Sequence, residues 1–119
     1  MEIVRYQYPP RDPALPIISQ VVEYCGTVYV CGITPDPVGD VASQTRQVLE
    51  RIDAALRLAG TDKSRLLTAL VWLADMRLFE MHNAVWNEWA DRENPPVRAC
   101  VRADLVRSCL VEIMVSAAK

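Results

Sequence analysis

A chain of 119 residues with 51% hydrophobic and 24% charged residues has the size and composition of one folded domain, residues 1–119, and is too apolar for a disordered segment. Thirteen Lys and Arg against fifteen Asp and Glu leave a net charge of −2, which supplies no positive field to gather phosphate backbones and argues against nucleic acid as a partner. Four cysteines in no C-x-x-C pair and one histidine argue against a zinc site, and a reducing, cytoplasmic setting with free thiols is expected.

The N-terminal MEIVRYQYPP has no apolar signal core, and the apolar run Ala69–Ala74 is far shorter than the ~20 residues that span a bilayer. No membrane partner is expected. Pro9, Pro10, Pro13 and Pro16 make the start an extended lead-in, because proline neither donates to a ladder nor continues a helix. Glu2–Tyr6 is a candidate edge strand. Ser19–Tyr24, a Cys25-Gly26-Thr27 turn and Val28–Gly32 predict a β-hairpin, closed by Pro35, Pro37 and Gly39.

From Val41 to Ala59 the residues Val41, Val48, Leu49, Ile52, Leu56 and Ala59 recur at helical spacing, with polar residues between them. Asp40 is placed to cap the free N–H groups of that helix, and Gly60 to end it. Leu66–Ala74 predicts a strand covered on both faces. Leu78, Met81, Val85, Trp86 and Trp89 predict a second helix over Arg77–Asp91, with Asp75 as its cap and Asn94-Pro95-Pro96 as its stop. Val97–Ala103 and Leu110–Ala117 predict two final strands joined by a loop at Asp104–Ser108. Two helices cover only one face of such a sheet, so the other face is expected to meet another copy in a closed oligomer.

Strand alternation separates Val97, Ala99, Val101 and Ala103 from Arg98, Cys100 and Arg102. The apolar set is expected to face the helices. If the last two strands form a hairpin, Cys100 lies opposite Glu112 and Arg98 lies diagonal to it, all on the uncovered face. Such an Arg98–Glu112 arrangement is either an ion pair that fixes register or an arginine fork for a substrate carboxylate beside an acid that handles water protons. The pattern leaves both open. His82 reads as a core-edge histidine, Trp72, Trp86 and Trp89 as core, and Cys25 and Cys109 as incidental thiols.

The string NPPVRACV followed by VEIMVSAA resembles the C-terminal signature of the Rid family, the reactive intermediate deaminases also called YjgF-like proteins. Further similarity runs through SQVV, GTVYVCG, DVASQTRQVLERIDAALRLAG, TALVWLADM and FEMHNAVWNEW, from about Ser19 to the end. The resemblance implies a chorismate-mutase-like α+β subunit with two helices on one face of a five- or six-stranded mixed sheet. It also implies a homotrimer with active sites in clefts between subunits. The implied chemistry is hydrolysis of enamines and imines of the 2-aminoacrylate type to 2-keto acids and ammonia, with no cofactor or metal. By the same likeness Arg98 binds the substrate carboxylate, the backbone at Cys100 lines the pocket and Glu112 orients or activates water. Cys31 and Gly32 line the site, and Asn83 stands at its edge.

Two positions depart from the family pattern: Ile18 replaces a tyrosine and Ile33 a glutamine. Both changes make the pocket less polar and point to a different or bulkier imine. A pathway-specific deaminase and a non-catalytic trimeric module that binds small carboxylates are the competing readings. An RNA-cleaving activity is disfavoured by the net charge of −2.

Overall fold

A computed structural model of the chain describes residues 1–6 and 14–119; the expected proline lead-in at Pro9, Pro10 and Pro13 lies outside them. The elements are β1 (Val4–Tyr6), β2 (Val21–Tyr24), β3 (Thr27–Val30), α1 (Val41–Leu58), β4 (Leu66–Leu73), α2 (Phe79–Trp89), β5 (Val97–Arg102) and β6 (Val111–Ala118). One six-stranded mixed sheet runs in the order β1-β2-β3-β6-β4-β5. This is the expected α+β architecture.

Local punctuation explains most of the boundaries. Asp40 accepts a hydrogen bond from the backbone N–H of Ser43 at 2.9 Å and so caps α1, while Gly60 follows the helix with φ +79°, the left-handed residue that glycine adopts without a steric penalty. Asp75 caps a short 3-10 turn, Met76–Leu78, by accepting from the Arg77 N–H. It therefore leads into α2 without capping it directly. The core lies between the sheet and the helices, with Val28, Val30, Val48, Ile52, Leu56, Val71, Leu73, Val111 and Ile113 all buried.

Pairing of the last strands differs from the sequence expectation. β5 does not pair with β6; β4 lies between them, parallel to β5 and antiparallel to β6. A strand, a crossover helix and a strand (β4-α2-β5) form a unit that returns the chain parallel and adjacent, and this arrangement takes precedence over a hairpin. Cys100 consequently stands beside Val71, and Glu112 beside Trp72. Directly paired residues share a face of the sheet. Ala69, Val71 and Leu73, with Val115, Ile113 and Val111, are buried under the helices, so Arg98 and Cys100 also face the helices. Val97 and Val101, expected to be inward, lie on the open face at 71% and 52% exposure.

Candidate active site

Arg98 is placed by an edge strand against the flank of α2. Its Nη2 donates to Asn83 Oδ1 at 2.8 Å, and its guanidinium lies over the Trp86 ring, 5.0 Å from the centroid, a favourable cation–π geometry. Among the described residues no carboxylate comes within ion-pair distance of it. Its charge is thus half-buried, oriented and not neutralised. Cys100 follows two residues on along the same face; burial raises its thiol pKa and the Arg98 charge lowers it.

Glu112 occupies the opposite face. It is half-buried beside Trp72, and desolvation raises its carboxyl pKa. Between the pairs Tyr29↔Ser116 and Ile33↔Ile113 the β3 side contains one residue more than β6, a bulge of the kind that re-aims backbone beside functional groups. Cys31 and Gly32 lie in it. A Cβ on Gly32 would collide with Glu112 Oε2, so the carboxylate rests directly on the glycine backbone. The Cys31 thiol pKa is raised by burial and, to a smaller extent, by the Glu112 charge.

The candidate residues therefore fall into two clusters: Arg98, Asn83 and Cys100 on one face, and Glu112, Cys31 and Gly32 on the other. The expected display of Arg98 and Glu112 on one face of one chain is not found, and with it goes the cross-strand ion pair. Ile33 is also not a pocket residue: it is buried in the core and bridges to Ile113. Ile18 is half exposed.

His82 lies deeper than the core edge. It is fully buried, with Nδ1 3.0 Å from Thr45 Oγ1. Burial foremost, then the Arg98 charge, lowers its pKa to about 4. Trp72 sits on the open face and is only partly buried, whereas Trp86 is core and Trp89 packs against it. Cys109 is buried, its thiol 3.4 Å from the Pro35 carbonyl. The strand–helix–strand order from Leu66 to Arg102 was the available sequence signal for the parallel pairing, and hence for the side on which Arg98 lies. Among the described residues no group of three His, Cys, Asp or Glu is placed to hold a metal ion, and no helix is long and apolar enough to cross a membrane.

The family model described as Endoribonuclease L-PSP matches residues 12–119. The chain belongs to this family, that of the Rid or YjgF-like proteins. A RutC family protein of Haemophilus ducreyi is 42% identical over 102 residues, covering 84% of this chain and 87% of that protein. The crystal structure of a YjgF family member from Neisseria meningitidis superposes with a TM-score of 0.90 at 34% identity, covering 100% of this chain and 96% of the other. A Rid family protein from Yersinia pestis gives 0.84 at 31% identity, covering 89% and 90%. The match to the Neisseria structure spans the sheet and both helices.

Proposed function

We propose that the protein is a cofactor-independent deaminase that hydrolyses 2-imino acids and their enamine tautomers to 2-keto acids and ammonia. Its clefts would be assembled between copies of a homotrimer. The observation that carries this reading is Arg98, an oriented guanidinium without a carboxylate partner among the described residues. A half-buried cation of this kind suits an anionic ligand, and a carboxylate can take two charge-assisted hydrogen bonds from it.

Because Arg98 and Glu112 face opposite sides of one sheet, a single substrate meets both only when Arg98, Asn83 and Cys100 come from one copy and Glu112, Cys31 and Gly32 from the next. The open face favours such packing. Tyr29, Leu70, Val97, Val101 and Met114 are all exposed on it, an apolar surface of a kind that marks interaction sites. Four free thiols among the described residues suit a reducing cytoplasm.

In the cleft Arg98 holds the carboxylate and Glu112 holds one water beside the C=N carbon. Water attacks that carbon of the protonated imine as Glu112 takes one of its protons, and a neutral carbinolamine forms. Glu112 returns that proton to nitrogen, and as the C–N bond breaks it takes the hydroxyl proton and passes it to the departing ammonia, so that ammonium and the 2-keto acid leave. The raised pKa of Glu112 suits it to this exchange. The family likeness sets Ile18 where relatives carry a pocket tyrosine, and an apolar side chain there favours an imine with an apolar side chain. The word endoribonuclease in the family description brings RNA into consideration, but a net charge of −2 gives little attraction for a polyanion.

The test generates 2-iminobutyrate with an amino acid oxidase and follows 2-ketobutyrate release. Wild-type protein should accelerate release and Arg98→Met should not. Equal release with and without wild-type protein, despite binding of 2-ketobutyrate, would establish a carboxylate-binding module instead.

A further inference from the structure

The buried side-chain polar atoms without a hydrogen-bond partner among the described residues are Gln20 Oε1, His82 Nε2 and Arg98 Nη1. The last two belong to one neighbourhood. Asn83, adjoining His82 in α2, accepts from Arg98 Nη2. Trp86, one helical turn beyond His82, lies under the guanidinium. The charge of Arg98 is felt at His82. An orphaned donor and an orphaned nitrogen thus occur together in the interior, where unmade hydrogen bonds are costly.

We infer that His82 is a positioning residue for Arg98, its Nε2 accepting from the inner arm, Nη1, while Asn83 seats Nη2. The inference rests on the carboxylate-binding reading of Arg98. A small rotation of the guanidinium or one bridging water completes the contact. Either route requires the tautomer in which Nδ1–H donates to Thr45 Oγ1 and the lone pair is on Nε2. With its inner arm seated, Arg98 keeps Nε and the second Nη2 hydrogen as the edge offered to a carboxylate. A neutral acceptor orients the guanidinium and leaves its charge for the ligand, whereas a carboxylate in the same place would neutralise it.

Calorimetric titration with 2-ketobutyrate should compare wild type, His82→Leu, His82→Gln and Arg98→Met, each checked by circular dichroism and thermal melting. His82→Leu should remain folded and bind about tenfold more weakly. In the imine assay it should raise KM while leaving kcat nearly unchanged. His82→Gln, whose amide oxygen replaces Nε2, should recover most of the affinity. Wild-type affinity in His82→Leu together with lost binding in Arg98→Met would overturn the positioning role and leave the carboxylate site standing. Wild-type affinity in Arg98→Met would remove the carboxylate site itself. If the His82 variants do not fold, nitrogen-15 NMR of the wild-type imidazole decides. A proton on Nδ1 and a bare Nε2 at pH 7 support the assignment, and a proton on Nε2 overturns it.

Discussion

Burying an imidazole ties folding stability to pH in a window set by His82. In the folded chain its pKa is lowered from 6.5 to about 4. The unfolded chain takes up this proton as pH falls through 6.5, while the folded chain resists until about pH 4, so acidification across the interval costs stability, by about 3 kcal/mol at its lower end. Glu112 acts in the opposite sense, because its raised pKa lets the folded state keep a proton longer. Urea titrations at pH 7 and pH 4.5 should therefore show a larger loss for wild type than for His82→Leu; equal losses would contradict a neutral buried imidazole. Sequence alone identified His82 as an inward residue but not its depth. Its partner Thr45 comes from the other helix, 37 positions away, and such a contact leaves no local trace. Strand alternation alone singled out Arg98, whereas Asn83 emerged as a candidate only through family likeness, since its hydrogen bond to Arg98 spans a helix-to-strand crossover.

At the scale of elements, the β2–β3 hairpin and α1 were legible because their signals are local: alternation, a turn glycine, a capping aspartate and a helical apolar stripe. The pairing of β5 was not. Alternation divides a strand into two faces but does not say which one meets the helices, and on this edge strand α2 presents Asn83 and Trp86, so Arg98 packs inward and the valines are left open. The bulge at Cys31–Gly32 was likewise invisible, because it arises from register with a strand some eighty positions on. It makes a sharp prediction. In Gly32→Ala the new methyl meets the carboxylate end of a flexible side chain, so Glu112 moves and the backbone stays. Melting should change little, by about 1 kcal/mol or less, while imine turnover falls about tenfold. Unchanged turnover would show that Glu112 does not act from its place on this glycine.

Across the whole molecule, the two candidate clusters are separated by a sheet and make a single site only in the proposed assembly. Among the described residues Arg98 has no ion-paired acid and Glu112 no ion-paired cation, so on this proposal the cleft is complete only where copies meet. This can be measured directly. Arg98→Met and Glu112→Gln proteins, each inactive in the 2-iminobutyrate assay, are unfolded together, refolded as a mixture and assayed. Trimers with clefts shared between copies place an intact Arg98 against an intact Glu112 in about a quarter of the clefts of an equal mixture, and roughly that fraction of wild-type activity should return. No recovery, with mixed trimers demonstrated by mass spectrometry, would contradict a cleft built from two copies.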